Sequence, residues 1–192
     1  MGSRAPGYGQ LVANRILIVY STTHGHTAKI ADRIARGARA AGARVETTEI
    51  EDAGDADPRD FDAVIVGASI HAGRHQPGLV RWATERAAAL AERPSAFFSV
   101  SLTAADDDAE AREATDGYIE GFVEETGWEP DRALPVAGCL QYREYDVFTR
   151  VLMKLLMRSG DHPTDTSRDY DYTDWDAVER FGREVAASTA AA

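Results

Sequence analysis

Short apolar runs alternate along the chain with longer stretches that have the spacing of amphipathic helices. The runs at 15–20, 63–67 and 96–100 are almost entirely apolar, which is typical of strands buried on both faces. Strands that alternate with helices are joined by right-handed crossovers and lie parallel in one sheet. The sequence therefore predicts an α/β domain with helices on both faces of a parallel sheet. The remaining predicted strands are 44–50 and 134–140, and the predicted helices are 25–42, 76–92, 109–126, 145–158 and 174–187.

The chain of 192 residues has the length of one domain. Residues 1–14 contain Gly, Ser and Pro without periodicity, so we expect a disordered tail there and a single domain over 15–188. No apolar run approaches the roughly 20 residues that a membrane span needs. Cys139 is the only cysteine, which is typical of proteins from a reducing cytoplasm. We therefore expect a cytoplasmic protein.

The chain is acidic, with 32 carboxylates against 21 basic residues and a formal net charge of −11. Only Lys29 and Lys154 are lysines, so arginine supplies almost all of the positive charge. This pattern is typical of a salt-adapted, halophilic surface or of a GC-rich genome. Phosphate backbones are bound by clustered positive charge, so the composition argues against nucleic acid as a partner.

A loop rich in hydroxyl groups, residues 21–27, connects the first predicted strand directly to a helix. The unpaired N–H groups and the positive dipole end of a helix start attract anions, and the hydroxyls add donors. The loop has no lysine or arginine, and the common nucleotide-binding glycine patterns are absent. These features favour a phosphate monoester. An ordinary capped helix start explains the same residues, and the loop alone does not distinguish the two.

Two further loops, 67–77 and 99–104, follow the second and third core strands. Ligands of parallel sheets lie beyond the carboxyl ends of the strands, so we expect these loops to meet the 21–27 loop. Their small residues let the backbone approach a planar ring, and Ser69 and His71 can contact it. We expect His71 and His75 to hold no metal ion, because Gly73 disfavours the helix that would align them.

The first strand and loop resemble the flavodoxin signature at Ile18, Val19, Tyr20, Thr22, Gly25 and Thr27. The resemblance implies a flavodoxin-like three-layer sandwich, a five-stranded parallel sheet of order 2-1-3-4-5 and a bound FMN. His24 and His26 stand where many flavodoxins carry Thr and Asn. The residues implied around FMN are Ser21, Thr22, Thr23, His24, Gly25, His26 and Thr27 at the phosphate, and Ala68, Ser69, Ile70, His71, Ala72, Gly73, Ser99, Val100, Ser101, Leu102 and Thr103 at the flavin ring.

A narrower resemblance is to the menaquinone-dependent protoporphyrinogen oxidases of haem biosynthesis, over about residues 15–185. It implies an enzyme that oxidises protoporphyrinogen IX through FMN and passes the electrons to a quinone. We expect His71 to act on the substrate side of the flavin and Arg74 to contact an anion, with Arg143 a weaker candidate. The matching stretches are 68–73, 97–103, 137–142 with Tyr145, 164–166 and 172–175.

Two departures from this family keep other functions open. Ala72 stands where many members have an aromatic residue, and the loop 104–110 is acidic where it is typically basic. An acidic surface favours a flavodoxin-like electron carrier that docks protein partners and has no organic substrate. An NAD(P)H-dependent quinone reductase on the same fold is a further alternative.

The stretch 145–158 is basic and rich in Leu and Met. Arg150, Lys154 and Arg158 recur at helical spacing and form one stripe. This composition is typical of an interfacial segment that touches a membrane, which would suit transfer to a lipid-soluble quinone. A helix packed on the sheet with a charged outer stripe explains the pattern equally simply.

Overall fold

The structure is a computed structural model that describes residues 14–54, 56–140 and 169–189. Five parallel strands form one sheet of order β2-β1-β3-β4-β5, so the predicted flavodoxin-like α/β fold with order 2-1-3-4-5 is confirmed. The strands are β1 Arg15–Tyr20, β2 Arg44–Glu49, β3 Ala63–Ser69, β4 Ser95–Ser101 and β5 Arg132–Ala137.

Helices cover both faces of the sheet. The helices are α1 His26–Ala40, α2 Pro77–Glu85, α3 Ala87–Ala91, α4 Ala109–Thr126 and α5 Trp175–Thr189. Residues of β1 alternate between two cores: Ile16 and Ile18 pack in the core that includes α1 and α5, and Leu17 packs in the core that includes α2, α3 and α4. Burial on both faces explains why the central strands are largely apolar.

Helices α1 and α5 cross with their backbones in contact. A Cβ added at Gly37 would collide with the carbonyl oxygen of Glu179, and one at Gly182 would collide with that of Ile34. The ion pair of Arg33 with Glu179, at 2.9 Å, lies at the same crossing. The C-terminal helix is therefore held tightly against the helix that begins at the hydroxyl-rich loop.

Two predicted elements differ in the structure. The helix predicted over 76–92 is two helices, broken at Arg86, whose guanidinium donates to the carbonyls of Gly54 and Ala56 at 3.1 and 3.2 Å. The strand predicted over 134–140 leaves the sheet at Gly138. Beyond it, β6 Cys139–Leu140 pairs antiparallel with β7 Tyr170–Asp171, because the chain returns alongside.

Several predictions fall outside the described residues. These are the tail before Asn14, Arg143, Tyr145, the stretch 164–166 and the helix over 145–158. Within the ranges that the structure describes, no helix combines the length and the apolar character needed to cross a bilayer.

Candidate functional site

A cavity of about 290 Å³ lies at the carboxyl edge of β1, β3 and β4, where the three predicted loops meet. All but one of its lining residues belong to the predicted set. The lining residues are Thr22, Thr23, His24, His26, Thr27, Ser69, Ile70, His71, Ala72, Val100, Ser101, Leu102 and Cys139. No lysine or arginine is among these described lining residues.

The start of α1 is the anion-binding part of the cavity. Gly25 occupies the cap position in a left-handed conformation, with φ of 75°. Within the described chain no side chain caps this helix start, so an ordinary side-chain cap does not explain the loop. The first backbone N–H groups of the helix therefore keep the capacity to bind an anion.

Thr22 carries an orphaned polar atom in this cradle. Its hydroxyl is buried and has no hydrogen-bond partner among the described residues. Leaving a buried hydroxyl unsatisfied costs about 1–3 kcal/mol, which a phosphate oxygen accepting that hydrogen bond would recover. The donor set and the unsatisfied hydroxyl thus fit the phosphate of a flavin mononucleotide.

His26 lies in the cavity wall, but its imidazole is directed at a later segment of the chain. Its Nε2 lies 2.8 Å from the hydroxyl of Thr173, which in turn donates to the carbonyl of Ala137 at 2.8 Å. Burial is the main cause that lowers the pKa of His26, while the nearby Asp171 raises it. His26 therefore brings the 170–175 segment to the site.

The turn at residues 71–74 forms the exposed rim of the cavity. His71 and Arg74 exchange two backbone hydrogen bonds, at 2.8 and 3.1 Å, around the left-handed residues Ala72 and Gly73. Two consecutive positive φ angles, 49° and 77°, define a type I′ turn. Arg74 is exposed next to the cavity and is not one of its lining residues.

The side chain of His71 is oriented by two neighbours. Ser69 Oγ lies 3.2 Å from His71 Nε2 and accepts a hydrogen bond from Gln76 at 2.8 Å. The ring of His24 approaches edge-on, with centroids 6.1 Å apart. Partial burial, and then the charge of His24, lower the pKa of His71. His71 is consequently a neutral hydrogen-bonding group at neutral pH.

Some predicted residues support the cavity without lining it: Ser21, Gly25, Ala68, Gly73, Ser99 and Thr103. Ser99 is on the opposite face of β4, where its hydroxyl lies 2.9 Å from His75 Nε2. His75 is buried edge-on against Phe97 and Phe122, and burial lowers its pKa to about 4. The Nε2 of His75 is therefore engaged with Ser99, on the side of β4 where Phe97 lies.

Cys139 is the lining residue that the sequence reasoning missed. It lines the cavity from β6, which begins just beyond the end of β5 and pairs with β7. Burial and then the carboxylates Asp171 and Asp169 raise the pKa of its thiol to about 11. The thiol stays protonated and offers no nucleophile. Two sequence signals bear on this placement: the Ala-Gly pair before it, which ends the strand, and its position within the matching stretch 137–142.

The sheet order and the helix-start cavity are those of flavodoxin-type flavoproteins. The flavodoxin-domain family model matches residues 17–167, which implies a flavin cofactor. The oxidised flavodoxin 1 of Bacillus cereus superposes with a TM-score of 0.53 at 16% identity, covering 89% of this chain and 96% of that one. At that identity the likeness shows the fold.

Two curated relatives that have the same name identify the family more narrowly. Protoporphyrinogen IX dehydrogenase (quinone) of Leishmania major is 36% identical over 174 residues, 90% of this chain and 75% of the relative. Its namesake from Escherichia coli K12 is 32% identical over 172 residues, 90% of this chain and 94% of the relative. The chain belongs to this family of flavodoxin-type oxidoreductases.

Proposed function

We propose that this chain binds FMN in the cavity and oxidises protoporphyrinogen IX, with a quinone as electron acceptor. The observation that carries the proposal is the identity of 32% and 36% to enzymes of that name over 90% of this chain. The relatives' names supply the substrate and the acceptor. The cavity supplies hydrogen-bond donors that suit the phosphate of FMN. The relationship to these enzymes also supports a role in haem biosynthesis.

The donors of the cavity favour FMN, which ends in a phosphate monoester, over a flavin dinucleotide. The hydroxyl of Thr22 and the uncapped start of α1 would hold a terminal phosphate monoester through neutral donors. The loops 68–73 and 99–103 would flank the flavin ring. When bound, FMN supplies the two-electron oxidation chemistry, and the protein supplies binding and orientation.

His71 and Arg74 stand on the substrate side in this proposal. Ser69 and Gln76 hold the imidazole at the rim, where its neutral form can exchange a hydrogen bond with the substrate. Arg74 is exposed beside it, and its guanidinium would attract a carboxylate of the porphyrinogen. No buried carboxylate is among the described lining residues, so no protein base is assigned to the proton that leaves.

An electron carrier without an organic substrate is the second candidate, favoured by the net charge of −11. The acidic loop near the site is, however, partly structural: Asp108 caps α4 by accepting from Ala111 N–H at 2.8 Å, and Asp107 pairs with Arg112. These carboxylates therefore have a role in the fold that needs no partner.

Anaerobic mixing of the FMN-loaded protein with protoporphyrinogen IX tests the proposal. We expect the flavin absorbance to bleach, porphyrin fluorescence to appear, and a quinone then to restore the flavin. Protein that porphyrinogen leaves oxidised contradicts the proposal. In that case, bleaching by NAD(P)H would indicate the quinone reductase, and bleaching only through a protein reductase would indicate the carrier.

We further propose a cytoplasmic protein that meets the inner face of the membrane peripherally through 145–158. Each cation near an anionic surface is worth about 1 kcal/mol. Changing Arg150, Lys154 and Arg158 to glutamine should therefore weaken binding to anionic vesicles roughly 100-fold. The matched control replaces the exposed Arg44, Arg81 and Arg180 by glutamine. Wild-type protein that ignores vesicles, or equal losses in both variants, contradicts this contact.

A further inference from the structure

The hydroxyl of Thr173 fixes the hydrogen-bond direction at His26. A hydroxyl has one hydrogen, and Thr173 donates it to the carbonyl of Ala137 at 2.8 Å. Thr173 must therefore accept at its contact with His26 Nε2, which is also 2.8 Å. His26 thus carries its hydrogen on Nε2, and the chain of two bonds runs from α1 to the end of β5.

A carboxylate and an indole complete the surroundings of His26. Asp171 Oδ1 accepts from the backbone N–H of Thr173 at 3.0 Å and lies 3.8 Å from His26 Nε2. Asp171 Oδ2 accepts from the indole N–H of Trp175 at 3.1 Å, and that ring meets His26 edge-on at 5.7 Å. We call His26, Asp171, Thr173 and Trp175 the His26 clamp.

The clamp joins walls of the cavity that are distant in sequence. His26 is the first residue of α1, so a fixed side chain also fixes the helix-start N–H groups. On the other side of the clamp, Gly138 N–H donates to the carbonyl of Ser101 at 2.9 Å, and Tyr172 N–H donates to that of Gly138 at 3.2 Å. The clamp therefore links the start of α1, which would bind the phosphate, to the 99–103 loop, which would flank the flavin ring.

We propose that His26 and Thr173 are positioning residues for the flavin phosphate. Their side chains bond to each other instead of to the anion, and they hold the start of α1 in place relative to the loops that would flank the flavin ring. The proposal rests on the proposed function, since it takes FMN as the ligand. It also gives a role to the 172–175 stretch, which the loop motifs do not explain.

Comparing FMN with riboflavin, which lacks the phosphate, separates positioning from general stability. In Thr173→Val we expect FMN to bind about tenfold more weakly and riboflavin to change less than about twofold, since a lost buried hydrogen bond of this kind is worth about one factor of ten. Thr173→Ser keeps the hydroxyl and should bind FMN as the wild type does. Both affinities are measured by quenching of flavin fluorescence.

Thr126→Val is the matched control. Thr126 is also a buried threonine whose hydroxyl donates to a carbonyl at 2.8 Å, that of Phe122, and it lies at the far end of α4. We expect this variant to lower the melting temperature and to leave both flavin affinities unchanged. An equal loss of FMN and riboflavin affinity in Thr173→Val, or no loss of either, overturns the positioning role.

Variants of His26 test the direction of the bond. His26→Gln keeps an N–H donor at a similar reach and should retain most of the FMN affinity, whereas His26→Leu should behave as Thr173→Val does. The ¹⁵N shifts of the imidazole should report hydrogen on Nε2, and hydrogen on Nδ1 overturns the inference. Wild-type protein that binds no FMN refutes the proposed function itself. Normal FMN binding by wild type, Thr173→Val and His26→Leu refutes only the clamp.

Discussion

On the phosphate side of the cavity, His26 and Thr27 are buried and the lining has hydroxyl groups but no lysine or arginine, whereas on the rim side residues 71–74 are exposed and include a histidine and an arginine. The phosphate side is fixed by a helix start and by hydrogen bonds to distant segments. The rim side is a type I′ turn that closes on itself through His71 and Arg74.

The two sides therefore suit different tasks: the phosphate side suits the binding of a cofactor, and the rim side suits contact with a substrate. Hydroxyl and backbone N–H donors lose less by desolvation than charged groups do, so they suit a ligand that stays bound. Exposed ionisable groups on a small turn can meet a charged molecule that comes and goes. Substitutions on the phosphate side should therefore change flavin affinity, and those on the rim should change turnover of the substrate.

The largest expected effect is a loss of folding stability in acid that arises from His75. His75 is buried behind the turn with a pKa lowered by burial to about 4, against 6.5 for a free histidine. The unfolded chain therefore binds a proton before the folded chain does. As the pH falls from 6.5 towards 4, we expect protonation of His75 in the unfolded chain to lower the free energy of unfolding by up to about 3 kcal/mol.

Urea unfolding across this pH range measures the loss. His75→Gln removes the titrating group, so its unfolding free energy should fall less steeply with acid than that of the wild type. His24→Gln, on the exposed part of the phosphate loop, is the control. Parallel pH profiles for wild type and His75→Gln would show that His75 is not the source.

The next effect is on the phosphate side. Replacing Thr22 and Thr27 by alanine should weaken FMN binding by roughly 1–3 kcal/mol, because hydrogen bonds to a charged group are lost. The flavin released from purified protein should be FMN by mass spectrometry, and recovery of FAD alone would contradict the assignment. Thr47→Ala on β2, outside the cavity lining, should leave FMN affinity unchanged.

On the rim, Arg74→Gln should raise the KM for protoporphyrinogen roughly fivefold, since an exposed charge contact is worth about 1 kcal/mol. The kcat and the FMN affinity should stay near those of the wild type. Steady-state kinetics with Arg81→Gln on α2 as the control checks this. A loss of FMN affinity in Arg74→Gln would remove the distinction between the two sides.

The smallest effect concerns salt. Self-repulsion among 32 carboxylates destabilises the folded chain at low ionic strength, so the melting temperature should rise by a few degrees towards molar KCl. The KM difference caused by Arg74→Gln should narrow over the same range because salt screens exposed charges. A flat melting profile would remove the halophilic interpretation and leave genome composition to explain the arginine bias.

The sheet and most of the cavity were predictable because their signals are local. Largely apolar runs mark the central strands, and a glycine before α1 marks the helix start. Each parallel strand brings its following loop to the same edge, which placed Thr22, Ser69 and Ser101 together. The sequence therefore predicts the lining of the cavity almost completely.

What could not be predicted depends on contacts between distant segments. The partner of His26 is Thr173, which is 147 positions away, and nothing near His26 indicates it. Cys139 lines the cavity from β6, whose pairing partner β7 lies about 30 residues further along the chain. The side chain of Ser99 faces His75 because of strand parity, which a loop motif does not encode.

The pairing of β6 with β7 also bears on how this fold tolerates change. Leu140 and Tyr170 are direct partners in the antiparallel register, so the chain leaves and returns at neighbouring points. All five strands of the main sheet are complete by Ala137. Leu140 and Tyr170 therefore lie close enough for a short connection to join them directly.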